Sequence, residues 1–149
     1  MNKWLMLAVL LAVAGFGVGA WLANRGQGDP NARLPSPLDA LQAHFVAAGI
    51  PVHGGLARAG GRDRLRHNVH FAVDGVQRSF FVQWYESTDA AQAYLQTLQR
   101  YPASAASLAN GELVLAITDW PVDDPLTQRV RLAFQSFAAP GAPGHLPLR

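Results

Sequence analysis

The 149-residue chain contains no cysteine. It therefore offers no disulfide bond, no thiolate metal ligand, no cysteine nucleophile and no cysteine that a lipid could modify. A strong charge of one sign is also missing, because 12 Lys and Arg residues are balanced by 10 Asp and Glu residues. Nucleic-acid binding relies on a concentrated positive surface, so we expect no nucleic-acid partner.

Familiar catalytic motifs are missing as well. The sequence has no G-x-S-x-G nucleophile elbow, no P-loop lysine, no H-E-x-x-H pair and no G-x-G-x-x-G fingerprint between a strand and a helix. His67 and His70 have ligand-like spacing, but they lie in a predicted strand, where side chains three apart point to opposite faces. We therefore expect no catalytic, cofactor-binding or metal-ligating residues, and no enzyme.

A long hydrophobic run stands near the start of the chain. Residues 4–23 carry no charge and, as a helix, would span about 30 Å, the thickness of the hydrocarbon core of a bilayer. Trp4 and Trp21 lie near its two ends, where indole rings prefer the headgroup region. We expect residues 1–23 to form a membrane anchor or uncleaved signal segment, with a signal peptide cleaved near Ala20 as the alternative.

The rest of the chain divides into three parts. Residues 24–37 are polar and rich in Gly and Pro, as in a linker. Residues 38–138 are predicted to fold as one extracytoplasmic domain, and residues 139–149 to form a flexible tail rich in Pro and Gly. We expect a single-pass protein of a bacterial-type inner membrane, with its C-terminal domain in the periplasm.

The clearest local pattern is HNVHFAVDGVQRSFFVQWYE, which begins at His67. Its two alternating runs flank Asp74-Gly75, a dipeptide typical of two-residue hairpin turns, and such a turn would place Val69 opposite Phe80. The predicted core face comprises Val69, Phe71, Val73, Val76, Phe80, Val82 and Trp84, and the opposite face comprises Arg66, Asn68, His70, Ala72, Ser79, Phe81, Gln83 and Tyr85.

Three helices are predicted where a capping residue precedes apolar residues at helical spacing. They begin near Ser36-Pro37, near Ser87 or Thr88, and at Asp124-Pro125. Besides the hairpin, the segment IPVHGGLARAGG suggests an edge strand and ELVLAITDW a central one. The order predicts an α+β domain, in which about three helices pack on an antiparallel sheet of three to four strands.

Polar and aromatic side chains around the hairpin are candidates for binding a partner. Arginines can contact an acidic surface, and large rings at strand ends often anchor protein partners. The segment TDWPVDDP also holds Asp119, Asp123 and Asp124, which could act as acid and base or cap the last helix. The predicted interaction surface comprises Arg64, Arg66, His70, Phe81, Tyr85 and Trp120.

Together these patterns predict a membrane-anchored envelope protein whose extracytoplasmic domain is a non-catalytic protein-interaction or assembly module. Residues 4–23 would hold it in the membrane, and its partner would be another protein of the cell envelope. Two alternatives stay open. One is a secreted periplasmic domain that binds a small ligand or a metal, and the other is a small hydrolase that uses Asp119, Asp123 or Asp124.

Overall fold

The computed structural model describes residues 33–58 and 64–143. The predicted membrane anchor at residues 1–23 and most of the predicted linker lie outside the described residues. Within the described ranges, no helix is long and apolar enough to cross a membrane.

The described chain forms an α+β fold with a five-stranded antiparallel sheet and three α-helices. The strand order in the sheet is β1-β2-β3-β5-β4, so β1 and β4 are the two edges. In chain order the elements are α1 (Leu38–Ala47), β1 (Val52–Ala57), β2 (Leu65–Val73), β3 (Ser79–Tyr85), α2 (Thr88–Leu98), a short 3₁₀ helix (Pro102–Ser104), β4 (Leu108–Asn110), β5 (Leu113–Ala116) and α3 (Pro125–Ser136). The predicted fold class is confirmed, but the predicted strand number is too low.

The strand that was not predicted is β4. It pairs antiparallel with β5 through a tight turn at Gly111, whose φ is +58°. Three residues are too few to show an alternating pattern, so nothing in the sequence distinguishes β4 from a loop. By contrast, β5 lies between β3 and β4 with all four residues buried, as its continuous apolar run predicts.

The β2–β3 hairpin has a longer loop than the sequence suggests. Val73 N–H donates to the carbonyl oxygen of Arg78, so residues 74–77 form a four-residue loop, and Val69 lies opposite Val82 rather than Phe80. Asp74 is held by the residue that precedes β1, because its N–H donates to Pro51 O at 2.8 Å. This shift by two residues keeps the side chains from His67 to Val73 and from Ser79 to Tyr85 on their predicted faces, whereas the β-bulge before His67 moves Arg66 to the face of Trp84. Only Val76 leaves the predicted core, because it lies in the loop and is 48% exposed.

Helix starts follow local capping chemistry. Ser87 Oγ accepts a hydrogen bond from Ala90 N–H, and a carboxylate oxygen of Asp124 accepts one from Thr127 N–H, with a proline in the first turn of α3. At α1 the cap position is occupied by Pro37, which makes no side-chain hydrogen bond, instead of the predicted Ser36.

The two faces of the sheet are covered unequally. On the inner face, α1 and α3 bury the main core, which includes Phe45, Phe71, Phe80 and Phe134. On the outer face, α2 packs mainly on β3, β4 and β5 and forms a smaller cluster with Tyr85 and Val114. The outer side of the sheet at β1 and most of β2 is therefore left without a covering helix in the described part of the chain.

The segment after α3 packs against the domain. Ala139 is fully buried, and Pro140 O accepts a hydrogen bond from Glu112 N–H at 2.7 Å. Asn110 Nδ2 donates to the carbonyl oxygens of Phe134 and Phe137, both at 2.8 Å. Residues 139–143, predicted as part of a flexible tail, are thus fastened to the β4–β5 turn, while residues 144–149 lie outside the described ranges.

Candidate functional site

The candidate site is the uncovered half of the outer sheet face. Five strands make a sheet about 20 Å wide, and one helix covers about 10 Å, so two helices are needed to cover one face. Among the described residues, the inner face is covered by two helices and the outer face by one. We call the uncovered area the outer patch; it comprises His53, Gly55, His70, Ala72, Ser79 and Phe81.

His70 and Phe81 form the centre of the outer patch. They lie directly opposite each other on β2 and β3, and their ring centroids are 5.0 Å apart. Phe81 is 38% exposed, which is unusual for a phenylalanine in a central strand. On the other side of His70 lies Gly55, and a Cβ built there would meet no atom within 4 Å. The patch is therefore an aromatic ridge beside an open stretch of main chain.

Polar groups border this ridge on both sides. Asp74 accepts a hydrogen bond from His53 Nδ1 at 2.6 Å, and both side chains are exposed. Towards α2 the patch ends at Asn68 and Gln83, which are buried.

Burial lowers the pKa of His70, and the neighbouring His53 lowers it further. His70 therefore favours the neutral form, and the centre of the patch is uncharged at neutral pH.

The lowered pKa of His70 predicts that acid destabilises the domain. The unfolded chain, with an ordinary histidine pKa of about 6.5, takes up more protons than the folded chain. The contribution of neutral His70 is complete above that pH and is lost as the pH falls towards the folded-state pKa. Urea unfolding of the full chain between pH 7.5 and 5.5 should show a falling free energy of unfolding, with a smaller fall in His70→Gln.

The variant His67→Gln is the matched control for this experiment, because His67 lies on the opposite face against Trp84. It should keep the pH dependence of the wild type. Equal slopes in the wild type and in His70→Gln would contradict the assignment to His70.

Two of the aromatic residues predicted at the interaction surface are buried. Tyr85 lies on the outer face as predicted, but α2 returns across it, and it is only 2% exposed beside Tyr94. Trp120 is 8% exposed and packs edge-on against Phe80, with the Arg78 guanidinium over its ring. Both side chains therefore stabilise the fold rather than form an exposed surface.

The two predicted arginines lie away from the outer patch. Arg64 is exposed in the turn before β2, with a φ of +63°. A β-bulge between Leu65 and His67 places Arg66 over Trp84, whose ring is 5.3 Å away and packs against the inner core. Of the six predicted residues, the structure thus brings together only His70 and Phe81.

Of the three carboxylates in the loop before α3, Asp124 has a structural role. Asp124 receives two hydrogen bonds from the Arg78 guanidinium, at 2.6 and 3.3 Å, and caps α3. The hydrogen bond from Arg78 lowers the pKa of Asp124 most, and the Thr127 N–H lowers it further. Asp119 and Asp123 are exposed. Asp124 is thus engaged in joining the β2–β3 hairpin to α3.

Sequence patterns did not reveal two members of the patch, His53 and Gly55, or the loop residue Asp74 that bonds to His53. Their positions depend on the β1–β2 register, which places Gly55 opposite His70. The only available signal was the pair of glycines in a predicted edge strand, which is typical of a close approach or an open surface. Among the described residues, no group of three His, Asp or Glu side chains could hold a metal ion.

The fold and the patch define an α+β domain with a sheet face that is covered over only part of its width. No protein-family model, no curated protein sequence and no solved structure matches this chain.

Proposed function

We propose that the chain is a membrane-anchored envelope protein whose extracytoplasmic α+β domain binds another protein through the outer patch, without catalysis. The observation that carries this proposal is the half-covered outer face with Phe81 exposed at its centre. A sheet face without a helix leaves apolar area in contact with water, and a partner that covers it gains the free energy of burying that area.

The chemistry of the patch is suited to a protein partner. Interface cores are enriched in aromatic residues and depleted of charge. The pair of His70 and Phe81 supplies such a core, and the small side chains of Ala72 and Ser79 allow a partner to approach closely. The exposed, hydrogen-bonded side chains of His53 and Asp74 provide a polar rim. Gly55 leaves the main chain of β1 open beside His70, so a partner can approach closely there as well.

The apolar run at residues 4–23 supports the membrane anchor. In this proposal it crosses a bacterial-type inner membrane and places the domain in the periplasm. A linker of about 14 residues would keep the domain within some 20 Å of the membrane surface on a random-coil estimate. Confinement to this layer raises the effective concentration of the domain near partners in the same membrane, so a small patch suffices for binding.

The proposal predicts a partner whose binding depends on Phe81. Tagged full-length protein is purified in mild detergent from the cells that naturally produce it, as wild type and as Phe81→Glu. Proteins are quantified by mass spectrometry, which also reads the N-terminus of the chain. A charge at the centre of an interface costs about 2 kcal/mol or more, so Phe81→Glu should retain roughly thirtyfold less of a stoichiometric companion.

The matched control is Leu132→Glu. Leu132 is 62% exposed on α3, which packs on the other side of the sheet, so this variant adds the same charge away from the patch. It should retain the companion at the wild-type level with residues 4–23 intact. Equal loss in both variants, no stoichiometric companion in the wild type, or an N-terminus beyond Ala20 would overturn the proposal.

A further inference from the structure

The free edge of β1 has outward-pointing main-chain groups. β1 pairs with β2 on one side, and within residues 33–58 and 64–143 no strand pairs with its other side. Gly54 N–H points away from β2 and donates to Gln42 Oε1 on α1 at 2.9 Å. Because main-chain groups of alternate residues point to the same side of a strand, those of Val52 and Leu56 also face outward. Such an edge is a template for another strand.

Gln42 occupies the centre of this edge. Its side-chain oxygen accepts the Gly54 N–H, as the carbonyl oxygen of a neighbouring strand would do. A strand that pairs with β1 must therefore displace the Gln42 side chain from Gly54. Gly54 itself admits no side chain, because a Cβ there would lie 2.7 Å from Phe71 Cε1. At the centre of the edge, the main chain of Gly54 is therefore covered only by the Gln42 side chain, which can move away.

We propose that the β1 edge is a strand-addition site for a second copy of this chain, and that Gln42 holds this site closed in the single chain. The two β1 strands pair antiparallel about a two-fold axis at Gly54. In this register Val52 lies opposite Leu56 of the second copy, and Gly54 lies opposite Gly54 of the second copy. The sheet then continues across the axis as ten strands.

The register is self-complementary in size. His53 lies opposite Gly55 of the second copy, so the imidazole meets a residue without a side chain and no like charges face each other. The two-fold symmetry repeats this contact.

The helix beside the edge adds apolar area to the same contact. Val46 lies one turn after Gln42 on the same flank of α1 and is 52% exposed. Pairing of the two β1 strands brings this flank towards α1 of the second copy. The pairing uses the main chain of β1 and neither His70 nor Phe81, so it does not require the partner proposed for the outer patch.

The test uses disulfide cross-linking, which is specific because the natural chain has no cysteine. The variants His53→Cys and Gly55→Cys are made in the full chain, each with Gln42 and with Gln42→Ala. The two single-cysteine proteins are mixed and oxidised, and the 53–55 disulfide is quantified by non-reducing electrophoresis and peptide mass spectrometry. Opposed residues in a non-hydrogen-bonded antiparallel pair have Cα atoms about 4.5 Å apart, which suits a disulfide.

Gln42→Ala should increase the 53–55 product. Each copy no longer has to give up one hydrogen bond, which raises the amount of product about twofold to tenfold per copy and therefore about fourfold to a hundredfold per dimer. Gln42→Glu keeps an acceptor oxygen and should match the wild type. Gln42→Leu repeats the test with a longer side chain, and circular dichroism checks that each variant is folded.

Three results would overturn the proposal. The first is an unchanged 53–55 product in both Gln42→Ala and Gln42→Leu. The second is cross-linking of His53→Cys alone as efficient as in the mixture, which would indicate random collisions. The third is a folded Gln42→Ala chain that stays single while it binds an extended segment of another protein.

Discussion

Replacement of Gly111 by alanine is expected to destabilise the domain by about 3 kcal/mol or more. Gly111 has a φ of +58°, and a Cβ there would lie 2.2 Å from Pro140 O and 2.6 Å from Ala142 N. Both contacts are with main-chain atoms, so no side-chain rotation relieves them. The segment after α3 must move away, and the 2.7 Å hydrogen bond from Glu112 N–H to Pro140 O is then lost.

The matched control for this prediction is Gly75→Ala in the β2–β3 loop. Gly75 also has a positive φ, +82°, but a Cβ there would meet no atom within 4 Å. It should therefore show only the backbone penalty, about 1 kcal/mol. Urea unfolding of the full chain, followed by tryptophan fluorescence, measures both variants. A loss in Gly111→Ala no larger than that in Gly75→Ala would contradict the packing of residues 139–143 on the turn.

Replacement of Phe80 by alanine is expected to reduce the free energy of unfolding by about 3–5 kcal/mol. Phe80 is 1% exposed, and its ring lies 5.4 Å from Phe45, 5.6 Å from Phe71 and 6.0 Å from Trp120, measured between ring centroids. It joins β2, β3, α1 and the loop before α3, so its removal leaves a cavity that no single element can fill.

Phe81→Ala provides the comparison from the adjacent position. Phe81 lies on the opposite face and is 38% exposed, so its truncation should cost about 1 kcal/mol or less of stability. Thermal and urea unfolding distinguish the two variants directly. The outer patch predicts the reverse order for binding, in which Phe81 matters more. Similar stability losses in the two variants would contradict the assignment of Phe81 to an exposed face.

Much of the domain follows from local patterns. The alternation between Val69 and Trp84 predicts which side chains face the core, and the structure confirms it for the strand residues. Ser87 and Asp124 predict the starts of two helices through hydrogen bonds that span only three residues. His70 and Phe81 are predicted on the outer face for the same reason, because a strand has a period of two.

Other features depend on contacts between distant segments. The β2–β3 loop is longer than Asp74-Gly75 suggests, because Pro51, which directly precedes β1, holds Asp74. Tyr85 is buried by α2, and Trp120 is buried against Phe80. In each case the partner segment is not a sequence neighbour, so no local pattern signals the outcome.

The sequence by itself determined the α+β class, the faces of the hairpin and the capped starts of α2 and α3, because each of these depends on neighbours within one turn or one strand pair. Only the tertiary structure decided the five-strand order, the closed β1 edge at Gln42 and the extent of the outer patch. Exposure of an outer-face residue depends on which helix returns across it. The path of a returning helix is set by packing over the whole domain rather than by the residues it covers.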